Sequence, residues 1–216
     1  MEAGTIARVQ ARYARVGTRF YVRGKLSGDP VCAQVEALAR AAGGFASVLD
    51  VGCGRGQMGL ALLELGLAGQ VAGFDWDAEK IEEARSAAST LQHGQARFWT
   101  GDTRSEALPE SDAVLLLDVL HYLTADEQIG LVERAARAAR RAIVIRELDP
   151  DRGWRSAVTR AQEAVTTFAR YNVGARLLIR PIAPVVESLH HAGFSVRVEP
   201  SWGATPFANV ALLATR

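Results

Sequence analysis

The chain has 216 residues, of which 49% are hydrophobic and 23% are charged, and its formal net charge is +1. This length suits one large α/β domain with a substantial core. The small net charge argues against nucleic acid as the main partner, because phosphate backbones favour a concentrated basic surface. The two cysteines suggest no disulfide framework. No secretory signal is recognisable and no apolar run approaches the ~20 residues of a membrane span, so we expect a cytoplasmic protein.

The N-terminal segment, residues 1–44, is predicted to be helical. Met1 to Lys25 has a basic helical pattern, and Asp29 and Pro30 are typical of an N-cap and the first position of a second helix. The basic residues are Arg8, Arg12, Arg15, Arg19, Arg23 and Lys25 against the single acid Glu2, and the aromatic residues among them are Tyr13, Phe20 and Tyr21. The segment is either a lid on the substrate side or a solvated helical face with a few packed aromatic side chains.

Strand-like and helix-like segments alternate from Phe45 onward, which is typical of a parallel sheet. The predicted strands are Phe45–Val51, Gln70–Phe74, Ala96–Thr100, Ala113–Leu117 and Ala142–Ile145. The predicted helices are Gln57–Leu65, one capped by Asp77, one from the capping box of Thr124 and Glu127 to about Arg140, one traced by Trp154, Val158, Ala161, Val165 and Phe168, and Ile182–His191.

The end of the chain follows a different pattern. Phe194–Val198 and Phe207–Leu213 are predicted strands, and Glu199–Pro206 connects them. Parallel neighbours need a connection of a dozen or more residues, and this one is shorter. The last two strands are therefore predicted to be antiparallel.

A glycine-rich loop gives the strongest local signal. Residues 48–56 have the sequence VLDVGCGRG, in which an apolar strand leads to an acid and then to three alternating glycines before a helix. Glycine lets the backbone turn sharply and lets a ligand approach closely. The helix N-terminus adds free N–H groups and a partial positive charge. The pattern predicts a cofactor-binding loop, with a tight turn that binds nothing as the alternative.

Two cofactor classes fit this loop. Gly54, Gly56 and Gly59 match the G-x-G-x-x-G dinucleotide fingerprint, and Asp75 is suitably placed to bind a ribose. Asp50 distinguishes the two classes, because a carboxylate beside the loop repels a pyrophosphate and attracts a cation. S-adenosylmethionine carries an ammonium and a sulfonium. The D-x-G-x-G-x-G pattern therefore favours S-adenosylmethionine over a nicotinamide dinucleotide.

Residues 45–147 resemble the core of class I S-adenosylmethionine-dependent methyltransferases, and Asp50 to Gly56 match the first motif of that family. The resemblance implies a doubly wound α/β fold with a seven-stranded sheet of order 3-2-1-4-5-7-6, in which strand 7 is antiparallel. Residues 45–216 would then form the cofactor-binding domain, within one compact unit that includes residues 1–44.

The resemblance also implies roles for individual residues. The implied cofactor contacts are Asp50, Gly52, Cys53, Gly54 and Gly56 around the methionine moiety, Asp75 on the ribose hydroxyls, Trp76 on the adenine, Asp102 with its neighbour Thr103 at the adenine amino group, and Asp118 and Val119 after the fourth strand. Trp76 has an alternative role as a half-buried packing residue. The implied substrate contacts are Tyr13, Tyr21, His121 and Tyr122.

Methyl transfer is an in-line displacement in which alignment and desolvation supply most of the catalytic effect. A hydroxyl acceptor benefits from a base, and His121 has a suitable ordinary pKa of ~6.5. Glu147, at the end of the fifth strand, is a second candidate catalytic residue, although it could instead pair with Arg146 or another arginine. No cluster has metal-ligand spacing, so no metal is expected.

The expected activity is methylation of a small, apolar or aromatic molecule. Arg19 to Pro30 resembles the opening of small bacterial methyltransferases from lipid and pigment pathways. The basic N-terminal segment could also receive an acidic partner, such as an acyl carrier protein or a coenzyme A thioester. Two alternatives remain open: a nicotinamide-dependent oxidoreductase, and a methyltransferase-like binding subunit without activity.

Overall fold

The computed structural model describes residues 1–151, 178–203 and 208–216. The strands are β1 (Phe45–Val51), β2 (Ala68–Asp75), β3 (Gln95–Thr100), β4 (Ser111–Leu117), β5 (Ala139–Leu148), β6 (Ser195–Pro200) and β7 (Asn209–Thr215). They form a seven-stranded sheet of order β3-β2-β1-β4-β5-β7-β6. The first five strands are mutually parallel, and β7 is antiparallel to both β5 and β6. The predicted fold class and the antiparallel last strand are confirmed.

Helices cover both faces of this sheet. The described helices are α1 (Ala3–Ala11), α2 (Val16–Gly28), α3 (Pro30–Ala41), α4 (Gln57–Glu64), α5 (Ala78–Ala88), α6 (Ala125–Ala138) and α7 (Ala183–His191), with a 3-10 turn at Leu120–Tyr122. The predicted caps are present: Asp29 accepts from the N–H of Val31, Asp77 accepts from two N–H groups of α5, and Thr124 and Glu127 form a capping box.

Two apolar cores lie on opposite faces of the sheet. Successive residues of a strand point to opposite faces, so Val48 and Val144 pack in the core under α1, α3, α4 and α5. Leu49 and Ile145 pack in the core under α6 and α7. Because the first five strands are parallel, their carboxyl ends lie at the same edge of the sheet, between the two helical layers. The loops that carry the predicted site residues leave from this edge.

The N-terminal segment is helical over most of residues 3–28, in agreement with its helical pattern. It forms two helices, α1 and α2, that are separated near Tyr13. The Tyr13 side chain is 2% exposed, and its hydroxyl donates to the backbone carbonyl of Arg55 at 2.8 Å. A tertiary contact, rather than a local glycine or proline, thus accompanies the interruption.

The strand bounds also differ from their predictions. β5 starts at Ala139 and not at Ala142, so α6 ends earlier than expected. The first residues of β5 include the exposed Arg140 and Arg141. β6 and β7 begin and end slightly later than predicted. The helix predicted from Trp154 to Phe168 lies outside the described residues. No helix in the described part of the chain is long and apolar enough to cross a membrane.

Several basic residues of the N-terminal segment pair with acids of the same chain. Arg8 and Arg12 bind Glu64 of α4, at 2.5 Å and 2.7 Å. Arg15 pairs with Glu79 of α5. These contacts fix α1 and the start of α2 against the helices that follow the first two strands. The segment therefore presents less free positive charge than its composition suggests.

Candidate active site

The glycine-rich loop lies between β1 and α4 at the carboxyl edge of the sheet. Gly52 and Gly56 have φ values of +70° and +71°, a region that side chains disfavour. A Cβ at Gly52 would lie 2.5 Å from Cγ2 of Val119, and one at Gly56 would lie 2.6 Å from Cζ of Phe98. Both positions therefore require glycine for backbone conformation and for close packing. Val119, a predicted cofactor contact, supports the loop from the next strand.

Asp50 is a buried carboxylate without a partner in the described residues. It is 2% exposed. Burial and the nearby charge of Asp75 raise the pKa of Asp50 to about 7 from an ordinary 3.8. A buried anion without a counter-ion is costly, and a cation placed beside it removes that cost. The site therefore fits a positively charged ligand such as the methionine end of S-adenosylmethionine, and it disfavours a pyrophosphate.

Asp75 ends β2 directly beside the loop. Its two carboxylate oxygens accept the backbone N–H groups of Gly54 and Asp77, each at 2.9 Å. A carboxylate has about four acceptor positions, so two remain for ligand hydroxyls. Trp76 follows with its side chain 70% exposed, and Lys80 lies 5.9 Å from its ring centroid. The exposure excludes the packing role for Trp76 within the described residues and leaves the ring available to a ligand.

The other predicted cofactor residues lie near the same edge. Cys53 is buried, and its burial together with Asp50 raises the pKa of its thiol. Asp102 is exposed and accepts from the backbone N–H of Arg104 at 2.9 Å. The carbonyl of Thr103 accepts from Arg134. Asp102 follows β3, so Asp50, Asp75 and Asp102 lie at or near the carboxyl ends of three neighbouring strands.

Asp118, directly after β4, joins the N-terminal helices to the sheet. Its φ is +63°, and no other non-glycine residue in the described part of the chain has a positive φ. Its Oδ2 atom accepts from Lys25 at 3.0 Å and from Arg146 at 2.5 Å. Asp29 also binds both cations, at 2.7 Å and 3.1 Å. Burial opposes ionisation of Asp118, but Arg146 and Lys25 outweigh it and lower its pKa.

His121 and Glu147 form a buried pair at the ends of β4 and β5. The Nδ1 atom of His121 lies 2.8 Å from Oε1 of Glu147, and the His121 backbone N–H donates to Oε2 at 3.0 Å. Burial disfavours the imidazolium, but Glu147 outweighs it and raises the pKa of His121. Glu147 fixes Nδ1 as the donor, so Nε2 is left to accept a proton. The alternative role for Glu147 was an ion pair with Arg146. Arg146 instead pairs with Asp29 and Asp118.

The predicted substrate contacts occupy different environments. Tyr13 is buried, and burial raises the pKa of its phenol. Tyr21 is exposed, and the Arg55 guanidinium lies 5.0 Å from its ring centroid. Tyr122 is exposed beside His121, with the two ring centroids 4.4 Å apart. Tyr21 and Tyr122 are therefore open to a ligand, whereas Tyr13 supports the glycine-rich loop.

Lys25, Asp29, Asp118 and Arg146 form a charged network that was not predicted from the sequence. One signal was present, because Arg146 continues an apolar strand that is buried on both faces, and a buried charge needs a partner. The identity of that partner depends on how α2 docks on the sheet. No group of three or more potential metal ligands occurs among residues 1–151, 178–203 and 208–216.

The comparisons with known proteins agree with this geometry. Residues 48–142 match the family described as "Methyltransferase domain". No curated protein sequence has a significant match to the chain.

Solved structures with the same fold cover almost the whole chain. The magnesium protoporphyrin IX methyltransferase of Synechocystis, with bound SAH, is 22% identical over 99% of this chain and 95% of its own, with a TM-score of 0.69. The Bradyrhizobium japonicum N-methyltransferase NodS, in complex with S-adenosyl-L-homocysteine, is 14% identical over 98% and 97%, with a TM-score of 0.66. An O-methyltransferase family protein from Burkholderia thailandensis is 18% identical over 99% and 67%, with a TM-score of 0.67.

Neither alternative from the sequence, a nicotinamide-dependent oxidoreductase or an inactive binding subunit, finds support in these comparisons. The unpartnered Asp50 and the antiparallel β7 also disfavour the oxidoreductase. Residues 48–142 are therefore a methyltransferase domain by the family match, and the strand order gives the chain the fold of the class I S-adenosylmethionine-dependent methyltransferases.

Proposed function

We propose that this enzyme methylates a hydroxyl group of a small apolar or aromatic molecule. The observation that carries the proposal is the buried pair of His121 and Glu147. A hydroxyl must lose its proton as it is methylated, and a histidine with a fixed tautomer can accept that proton. A carboxylate acceptor needs no base, and this pair would then have no role in the reaction.

The glycine-rich loop and its acids are proposed to hold the methyl donor. When bound, S-adenosylmethionine supplies an electrophilic methyl group on a positively charged sulfur. Asp50 would hold the positively charged methionine end, and Asp75 would accept from the ribose hydroxyls with the lone pairs that Gly54 and Asp77 leave free. The open ring of Trp76 and the carboxylate of Asp102 suit the adenine.

The acceptor is proposed to lie beside His121. Its hydroxyl would donate to Nε2 of His121, and the proton would move to that nitrogen as the oxygen is methylated. Glu147 would stabilise the imidazolium through its Oε1 atom, 2.8 Å from Nδ1. Tyr21 and Tyr122 are the proposed substrate contacts because both are exposed at this edge.

A free small molecule is favoured over a carrier-bound one. The basic residues that would receive an acyl carrier protein or coenzyme A include Arg8, Arg12 and Arg15, and each pairs with an acid of the chain itself. Their charges are therefore already compensated, which weakens attraction to an acidic partner.

The test is to incubate the protein with S-adenosylmethionine that carries a labelled methyl group and a small-molecule extract of the source organism. We expect the label in a low-mass product whose methyl group is on oxygen, and little product with the His121→Ala variant. Label found only in macromolecules, or on nitrogen or carbon, would contradict the proposal. Equal product from wild type and His121→Ala would remove His121 as the base.

A further inference from the structure

A pocket of about 480 Å³ lies between α2 and the carboxyl end of β5. Two of its lining residues, Phe20 and Tyr21, are 66% and 47% exposed. Contiguous exposed apolar surface is typical of ligand-binding or partner-binding sites. Trp202, from the segment after β6, lines the same pocket. The pocket thus brings together aromatic surface from two distant parts of the chain.

The absence of a side chain at Gly24 enlarges this pocket, and no packing contact in the described residues requires a glycine there. It lies in the interior of α2, where glycine destabilises a helix by about 1 kcal/mol relative to alanine. A Cβ at Gly24 would meet no described atom within 4 Å, and its φ is not positive. Gly28, four residues later, also lines the pocket and has the same free space. Neither backbone conformation nor packing in the described residues explains these glycines, whereas room for a ligand does.

The pocket adjoins the candidate active site through three of its lining residues. Tyr21 contacts Arg55 of the glycine-rich loop, 5.0 Å from its ring centroid to the guanidinium. Lys25 and Arg146 line the pocket, and both bind Asp118, which directly follows β4. A ligand in the pocket would therefore lie next to the loop that holds the donor and next to the end of β4.

The strand geometry relates the pocket to the proposed base. Arg146 and Glu147 are consecutive residues of β5, so their side chains point to opposite faces of the sheet. Arg146 faces the pocket, and Glu147 faces His121. A molecule that lies across the end of β5 would reach from the pocket to His121.

We propose that this pocket binds the part of the acceptor that is remote from the methylated oxygen, and that this part is a flat aromatic ring system. The inference rests on the proposed function. Three aromatic side chains suit the faces and edges of such rings. The cations Lys25 and Arg146 are balanced by two aspartates, so this polar edge is electrically neutral and does not require an ionised ligand. Gly24 would set the size of the ring system.

The pocket can be tested with anilinonaphthalene sulfonate, an aromatic probe that fluoresces when it leaves water. The probe is titrated into wild type, Gly24→Leu and Gly17→Leu, each saturated with S-adenosylhomocysteine. Gly17 is a matched control, because it also lies in α2 with free space around a Cβ and does not line the pocket. We expect the Kd of the probe to rise by about tenfold or more in Gly24→Leu only. Equal binding by all three proteins, or no saturable binding, would overturn the inference.

Labelled methyl transfer, measured on the same three proteins, separates this inference from the proposed function. We expect a higher KM for the acceptor in Gly24→Leu and an unchanged KM in Gly17→Leu. A wild type that forms no labelled product would contradict the proposed function. A product that Gly24→Leu and wild type form with equal KM would contradict only the assignment of the pocket. Both substitutions replace glycine by a better helix former, so circular dichroism should detect no loss of helix.

Discussion

Glu147 contacts His121 through both carboxylate oxygens: Oε1 lies 2.8 Å from Nδ1 of the ring, and Oε2 accepts the backbone N–H of the same residue at 3.0 Å. The orientation of the ring is thus fixed relative to the 3-10 turn that carries it. In a general-base mechanism this contact sets both the tautomer and the pKa of the imidazole.

The Glu147→Gln variant should therefore change the pH profile of the reaction. Glutamine has one acceptor oxygen and cannot hold both the ring and the backbone N–H. In wild type the pKa of His121 is raised above 6.5, so kcat/KM should increase as the pH rises through that raised pKa and neutral imidazole forms. In the variant the increase should shift to lower pH, because burial still opposes the charge, and the maximal rate should fall by at least about tenfold.

The control for this measurement is Glu133→Gln, which removes an exposed carboxylate from α6. It should leave the pH profile unchanged. A Glu147→Gln variant with the wild-type profile and rate would show that the contact has no part in proton transfer.

The Asp75→Ala variant should bind S-adenosylhomocysteine more weakly by about 1–3 kcal/mol, the usual cost of removing the partner of buried polar groups. Asp75 also holds the N–H of Gly54, so the loop itself loses a contact. Calorimetric titration measures the effect. Asp77→Ala is the matched control: it removes the cap of α5, should lower stability by about 1 kcal/mol, and should not change affinity. Unchanged affinity in Asp75→Ala would contradict the ribose role.

The Asp118→Asn variant should loosen the N-terminal helices. Asparagine tolerates positive φ, so the substitution removes the charge with little backbone strain. We expect the free energy of unfolding to fall by about 1–3 kcal/mol at neutral pH. Because the folded-state pKa of Asp118 is lowered, its stabilisation is present above the unfolded-state pKa and is lost as the pH falls through the folded-state value. The difference between wild type and variant in urea denaturation should thus shrink below about pH 4.

Glu110→Gln is the control for the stability measurement, because it breaks an exposed ion pair with Arg140 and should have little effect. If Asp118→Asn were as stable as wild type at neutral pH, the network of Lys25, Asp29, Asp118 and Arg146 would not anchor the N-terminal helices.

Local sequence signals predicted the part of the site that local structure determines. The glycine-rich loop with Asp50, the end of β2 at Asp75 and the short connection before β7 each follow from residues close together in the chain. The sequence could not predict that Lys25 meets Asp118, because that contact joins residues 93 positions apart through the docking of α2. It likewise placed Tyr13 at the substrate, whereas the side chain is buried against the loop.

The start of β5 shows a second reason why parts of the structure could not be predicted from the sequence. Arg140 and Arg141 are exposed and charged, so they interrupt the apolar pattern that predicts a strand. The pairing of β5 with β4 and β7 supplies the backbone contacts that the pattern does not reveal. Arg141 donates to the carbonyls of Ala42 and Gly44 in addition, at 2.6 Å and 2.9 Å, which is again a tertiary contact.

The central claim is that Asp50 binds the positively charged end of the cofactor. Calorimetric titration of wild type and Asp50→Asn, with S-adenosylmethionine and with NAD, tests this claim most directly. We expect wild type to bind S-adenosylmethionine and not NAD, with affinity that rises as the pH increases through about 7 and Asp50 ionises. Asp50→Asn should bind about 10- to 100-fold more weakly and lose that pH dependence. Tight binding of NAD by wild type, or equal affinity of both proteins for S-adenosylmethionine, would contradict the account.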